Sequence, residues 1–259
     1  VSDRVEDFRA AHVPGRPLLL PNAWDGASAA ALFAAGFAAI GTTSLGVAAA
    51  AGLPDGTGAA RGRTVELARL LAPLGAVTVD IEAGFGSDPG EVADLAEELA
   101  GFGVVGVNLE DGRPDGTLAD PDRHAALVAA VKARCPRLFL NARTDAYWLG
   151  APGPLPVSIE RAAVYIGSGA DGVFVPGATD PADIAVLTAR IGAPVNLLFS
   201  PAGPDLRALA ALGAARVSTG SLLFRAALGA AVRAAEDVAA GRPVAVEVPS
   251  YEEVQRLTA

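Results

Sequence analysis

Residues 75–86 read Gly-Ala-Val-Thr-Val-Asp-Ile-Glu-Ala-Gly-Phe-Gly: an apolar, β-branched run over 76–79 that ends on Asp80 and Glu82 and breaks on Gly84 and Gly86. A continuous run of this kind is the pattern of a parallel strand buried on both faces. Carboxylates at its carboxyl end are costly to desolvate unless a cation sits among them. With period-2 alternation Asp80 and Glu82 point to the same side, and a hard divalent cation relieves two anions that share a face. The same residues also read as a loop cap (Asp80) and a solvated acid (Glu82). On this stretch alone the two readings stand level.

Outward from it, apolar runs and amphipathic stretches alternate. Strand patterns fall at 17–20, 38–40, 76–79, 104–109, 138–141, 172–175, 195–199 and 215–218. Helical patterns fall between them at 27–35, 62–71, 90–100, 122–134, 159–168, 181–190 and 206–212, and a long Ala-rich one at 222–240 closes the series. Alternation of this kind predicts a parallel sheet. Eight units in 259 residues match the size of a (β/α)8 TIM barrel, with an open doubly wound sheet as the alternative. No linker or shift in composition divides the chain, so 1–259 reads as one domain with short N- and C-terminal extensions.

Composition narrows the chemistry. A net charge of −9 argues against nucleic acid and anionic membranes as partners. No apolar run is long enough to span a bilayer. The lone Cys135 leaves no internal disulfide, and with no signal-peptide pattern at the start the expected location is the cytoplasm. Lys132, the only lysine, falls in a helical pattern, which sets aside Schiff-base chemistry. Two histidines, His12 and His124, without an HExxH motif argue against a His-ligated zinc. There is no GxSxG elbow, and Gly84-x-Gly86 lacks the third glycine of a dinucleotide fingerprint. Carboxylates, arginines, hydroxyls and backbone amides remain.

In such barrels the active site is built at the carboxyl ends of the strands. Here those ends carry Asn22 and Asp25, then Thr42 to Gly46, then Asp80 and Glu82. Next come Asn108, Glu110 and Asp111, then Asn141, Arg143 and Asp145, and finally Pro176-Gly177 and Asn196. Acids from two adjacent strands converge with one arginine, which favours the metal reading. Two connections are long: 42–60, carrying Asp55, and 110–121, whose glycines suit a mobile lid.

Pro-Asn-Ala-Trp-Asp (21–25), Thr-Thr-Ser-Leu-Gly (42–46), Pro-Asp-Gly (54–56), the stretch 79–86, Gly-Val-Asn-Leu-Glu-Asp-Gly (106–112), Asn-Ala-Arg-Thr-Asp (141–145), Gly-Ala-Asp-Gly-Val-Phe-Val-Pro-Gly (169–177) and Arg-Val-Ser-Thr-Gly (216–220) occur in that order. Together they resemble the isocitrate lyase/phosphoenolpyruvate mutase superfamily over roughly residues 15 to 240. The resemblance implies a (β/α)8 barrel whose eighth helix is swapped between subunits, in a homodimer or homotetramer. It also implies Mg2+, with Mn2+ as its substitute, and a C–C or P–C bond made or broken beside a 2-oxo acid through an enolate.

Carried over by motif, Asp80 resembles the direct metal ligand, and Asp55, Glu82 and Glu110 the acids that hold the metal's waters. Ser44, Leu45 and Gly46 resemble the turn that grips the substrate carboxylate, and Arg143 the residue on carboxylate or phosphoryl oxygens. Arg143, Glu110 and Asp55 are the expected catalytic residues, and Asn196 joins the substrate-binding set. Three departures set this chain apart. It has Asp80-Ile81-Glu82 where many members have Asp-Ala-Asp, no Lys-Lys-Cys-Gly-His lid, and Gly112-Arg113 where phosphonate-active members place a lysine. The expectation is therefore a Mg2+-dependent lyase or hydrolase acting on a di- or tricarboxylate or 2-oxo acid such as isocitrate, methylisocitrate or oxaloacetate. P–C chemistry on phosphoenolpyruvate or phosphonopyruvate, and a non-catalytic dicarboxylate-binding barrel, are the alternatives.

Overall fold

The structure, a computed structural model, describes residues 3–257. Nine strands, each parallel to its neighbours, carry the sheet: β1 (Leu18–Leu20), β2 (Asn22–Ala23), β3 (Ala39–Thr42), β4 (Ala76–Asp80), β5 (Gly106–Glu110), β6 (Phe139–Arg143), β7 (Gly172–Val175), β8 (Val195–Leu198) and β9 (Arg216–Ser218). Their spatial order is β1-β9-β8-β7-β6-β5-β4-β3-β2. The first two are halves of one strand split at Pro21, which has no N–H to give a ladder. β1 pairs with β9 and β2 with β3, so both ends of the sheet meet on this segment, forming the expected (β/α)8 barrel. The Asn22 side chain fastens the seam. Its Oδ1 accepts from the backbone N–H groups of Thr219 (3.0 Å) and Gly220 (2.9 Å), and its Nδ2 donates to the Thr42 carbonyl (2.7 Å).

The helices are α1 (Arg4–Ala10), α2 (Gly26–Ala34), α3 (Ser44–Ala50), α4 (Arg61–Leu71), α5 (Pro89–Phe102), α6 (Pro121–Arg134), α7 (Pro154–Gly167), α8 (Pro181–Arg190), α9 (Leu206–Ala211), α10 (Leu222–Ala239) and α11 (Tyr251–Arg256). Three open on the same dipeptide. Asp88-Pro89, Asp120-Pro121 and Asp180-Pro181 each place a carboxylate on first-turn N–H groups and a proline where no donor is needed. Periodicity does not predict α1, α3 or α11. For α3 the reason is its sequence, Ser-Leu-Gly-Val-Ala-Ala-Ala, which has no charged face to set a 3.6-residue rhythm. Residues 44–46 are thus the first turn of a helix rather than an open turn. Among the described residues no helix is long and apolar enough to cross a membrane.

Helix α1 closes the amino-terminal end of the barrel. Phe8 meets Phe139 edge-on, with ring centroids 5.5 Å apart, and His12 stacks on Phe139 at 4.3 Å. The Nδ1 of His12 lies 2.7 Å from the Phe8 carbonyl, which must accept, so Nδ1 carries the proton. Burial first, then the nearby Arg216, pushes His12 down to about 4. The unfolded chain takes up this proton near pH 6.5 and the folded one only near 4, so His12 removes stability as pH falls through that window. Acids in the site shift the opposite way, so the measurement is a difference. From pH 7 to 4 the stability gap between wild type and His12→Leu should move by roughly 3 kcal/mol in the variant's favour. Urea titrations at both pH values measure it, and an unchanged gap rejects the assignment.

Lys132 lies at this same end, with Nζ on Asp171 (2.7 Å) and on the carbonyl of Leu138 (2.8 Å), just before β6. The chain's only lysine is therefore structural and remote from the carboxyl ends of the strands.

Candidate active site

At the carboxyl ends of the strands lies a cavity of about 340 Å3, within the range of small-molecule sites. Asp80 ends β4, Glu110 ends β5 and Arg143 ends β6, and all three line it, with Asp145, Ser44, Leu45 and Asp55. Register explains the grouping: Asp80 sits beside Asn108 and Glu110 beside Arg143. Asp55 reaches the cavity from the exposed segment after α3.

Arg143 is saturated by acids. Its Nη1 is 2.7 Å from Glu110 Oε2, while Nε and Nη2 donate to the two oxygens of Asp145 at 2.6 and 3.1 Å. Asp145 is held in turn, because Asp111 Oδ1 accepts its backbone N–H (2.8 Å). The other oxygen of Asp111 takes Arg161 (2.9 Å) and the Tyr165 hydroxyl (2.7 Å). Burial works against the Arg143 charge, but Glu110, Asp145 and Asp80 overcome it and hold the guanidinium above its ordinary pKa. Burial raises Asp80, against the pull of Arg143 and with Asp55 adding to it. Burial likewise pushes Glu110 up to about 8, despite Arg143 and reinforced by Asp80, Asp145 and Glu82. The mouth thus holds more carboxylate than its one buried guanidinium can neutralise.

Two expected residues sit elsewhere than alternation places them. The strand ends at Asp80, and Glu82 has φ 50°, so the two do not share a face. Asp80 Oδ1 accepts the Glu82 N–H at 3.2 Å, which makes it a loop cap as well as a cavity acid. Glu82 is buried, with Oε2 on the Gly58 N–H (3.0 Å) and Oε1 unpartnered. It anchors the 54–58 segment that carries Asp55. Gly84 makes this path feasible: with φ 91° and Val92 Cγ2 2.7 Å from where a Cβ would stand, only glycine fits.

Asn196 lies deeper than the other expected residues. It is buried in the barrel interior and does not line the cavity, because β8 continues two residues further and Leu198 takes the mouth. Ser44 and Leu45 do line the cavity from α3, whereas Gly46 packs against Thr43 and Trp24. The 110–121 connection is a small hairpin bridged at Gly112 and Leu118, with Arg113 against the cavity. Trp148, Phe174 and Ser218 also line the cavity, and the strand-end reading omitted them. Phe174 pairs in register with Asn196, and Ser218 with Leu198. These two were open to discovery by extending the strand-end reading across the register, whereas Trp148, beyond β6, left no signal.

The family model for phosphoenolpyruvate phosphomutase matches residues 8–239. The chain belongs to the phosphoenolpyruvate phosphomutase family. An uncharacterised protein of Mycobacterium tuberculosis is 47% identical over 249 residues, 96% of this chain and 94% of that one. A solved structure from Burkholderia cenocepacia, provisionally described as a phosphonomutase, is 36% identical, covers 91% of this chain and 100% of its own, and superposes with a TM-score of 0.86. Two solved structures share the fold at lower identity. 2,3-Dimethylmalate lyase, a member of the PEP mutase/isocitrate lyase superfamily, is 23% identical over all of this chain and 95% of its own, with a TM-score of 0.85. Phosphonopyruvate hydrolase with oxalate and Mg2+ is 22% identical over 99% and 95%, with a TM-score of 0.86. Placement in this superfamily therefore agrees with the resemblance drawn from the eight motifs.

Proposed function

We propose that this member of the family is a Mg2+-dependent lyase or hydrolase that cleaves a C–C bond beside a 2-oxo or 2-hydroxy carboxylate. The observation that carries the reading is the charge inventory of the mouth. Arg113 and Arg143 are the cationic side chains among its lining residues, and Arg143 is already engaged by Glu110 and Asp145. A phosphonyl group carries more negative charge than a carboxylate and normally recruits additional cations.

The residues suit a hard cation. Every donor is oxygen, Glu82 Oε1 is buried without a partner, and burial raises Asp80 and Glu82 with no cation to offset it fully. Among the described residues no three side chains of His, Cys, Asp or Glu close into a ready-made cage. Mg2+ keeps several waters and needs one or two carboxylates directly. In this reading Asp80 binds it, with Asp55, Glu82 and Glu110 on its waters, and Mg2+ supplies Lewis-acid stabilisation of developing enolate charge. The chain's own residues orient and shield: N–H groups near Ser44 meet a carboxylate, Arg143 sets the electrostatics, and Trp148 and Phe174 exclude water. Glu110, poised near neutrality, and Asp55 are the groups placed to hold or move a proton.

P–C chemistry is the second reading, favoured by the 36%-identical structure described as a phosphonomutase. The test incubates protein and Mg2+ with isocitrate, methylisocitrate, oxaloacetate, phosphonopyruvate or phosphoenolpyruvate and follows products by 1H and 31P NMR. Slow release of a 2-oxo acid or dicarboxylate, abolished by a chelator, with phosphonopyruvate untouched, is expected. Rapid phosphonopyruvate turnover with no carbon substrate cleaved reverses the ranking. Ligand binding without turnover of any substrate leaves a binding barrel.

The reading extends to assembly. Along α10 only Phe224 is buried, while Leu228, Val232 and Val238 are 52, 58 and 68% exposed. In the homodimer or homotetramer proposed here that face packs on another subunit. Light scattering at micromolar concentration should give an oligomer that Leu228→Glu with Val232→Glu dissociates. A wild-type monomer defeats the proposal.

A further inference from the structure

Beneath the mouth the barrel interior is polar where such cores are usually filled by branched apolar side chains. Arg216 on β9 has no solvent exposure, and Asn108, Asn141 and Asn196 surround its level. Its Nη2 donates to Asn108 Oδ1 at 3.3 Å, while Nε and Nη1 have no partner. Asn141 Nδ2 donates to the same oxygen at 3.0 Å.

An amide's two ends are ordinarily interchangeable by a flip. Here the ambiguity is removed, because a guanidinium only donates, so the atom facing Arg216 must be the oxygen. The Nδ2 of Asn108 is then directed away from Arg216. It donates to no acceptor among the described residues, is not one of the sealed unpartnered atoms, and belongs to a residue that lines the cavity beside Asp80.

We propose that Asn108 Nδ2 donates a hydrogen bond to an anionic oxygen of the bound 2-oxo acid, and that Arg216 is the positioning residue that fixes the amide in this orientation. This rests on the C–C reading only in taking a 2-oxo acid as ligand. Arg216 touches no substrate and acts through Asn108. A preorganised donor of this kind meets developing charge without reorienting. Without the guanidinium only Asn141 Nδ2 still donates to that oxygen, and because the Asn141 amide can itself flip, the two amides can turn together and present the Asn108 oxygen to the cavity, where it would repel an anion.

Oxalate, a planar dianion with the oxygen arrangement of a 2-oxo acid enolate, is the probe. Its affinity is measured by calorimetry at saturating Mg2+, with Mg2+ affinity and melting recorded for each variant. Asn108→Ala should weaken oxalate about ten- to a hundredfold, the range for a hydrogen bond to a charged group, and Asn108→Asp should weaken it further. Arg216→Met should approach the Asn108→Ala loss, and Arg216→Lys, still a pure donor, should recover most of it. The Asn108→Ala, Arg216→Met double variant should bind no more weakly than Asn108→Ala alone, because both substitutions remove one interaction. Wild-type oxalate affinity in Asn108→Ala overturns the proposal while the functional reading stands. Wild-type affinity in Arg216→Met overturns the role of Arg216, and should that variant not fold, the Asn108 pair decides alone. If wild-type protein binds Mg2+ but no oxalate, the functional reading falls and the proposal falls with it.

Discussion

Asp80→Ala should lose Mg2+ binding by more than about a hundredfold, the upper range over which even outer-shell partners of a metal act, while the protein still folds. The two halves of this expectation have separate causes. Asp80 ends β4 with its carboxylate in the cavity, where burial and Asp55 both oppose its charge. Removal relieves that repulsion, and the losses are the capping bond to the Glu82 N–H, the backbone hydrogen bond at Ser44, the attraction to Arg143 and the proposed ligand. Asp80→Asn sharpens the test, since its amide oxygen can keep the cap but not the charge. Calorimetric Mg2+ titration with thermal melting measures both. Undiminished affinity in either variant removes Asp80 from the metal site.

The second large effect is at Arg143. Arg143→Met should destabilise the protein by about 3–5 kcal/mol, because two buried carboxylates, Glu110 and Asp145, lose their common partner. Arg143→Lys keeps the charge but not the fork, and should still lower turnover by about ten- to a hundredfold. Pairing Arg143→Met with Glu110→Gln and Asp145→Asn should restore much of the stability and none of the activity. Urea denaturation gives the first quantity and the product assay the second. A wild-type urea midpoint in Arg143→Met contradicts the ion-pair account.

The barrel was legible because burial on both faces writes itself as β-branched runs, and Gly172–Val175 and Pro181–Arg190 coincide with their patterns to the residue. The acids at strand ends were legible for the same reason: register converts a strand's last residue into a neighbour of the next strand's last residue. What escaped is what breaks a period. Pro21 splits a strand, α3 has no polar face, and Glu82 leaves the alternation at a positive φ. Asn196 lies below the cavity lining because β8 runs two residues further, to Leu198. Arg216 escaped because a charge inside a strand reads as a solvent-facing residue unless the strand is known to close on itself.

The seam at Asn22 governs the order in which the molecule can be assembled. Its partners Thr219 and Gly220 lie 197 and 198 residues further along the chain. Contacts of such high contact order form late, since the loop-closure entropy precedes any reward. During synthesis the growing sheet carries two open edges, β1–β2 on one side and the newest strand on the other, until β9 has been made. Open parallel edges invite pairing with other chains. The barrel is therefore most exposed to misassociation over the stretch of translation between β3 and β9, and it closes only once β9 can pair with β1 and the Asn22 amide can reach its partners.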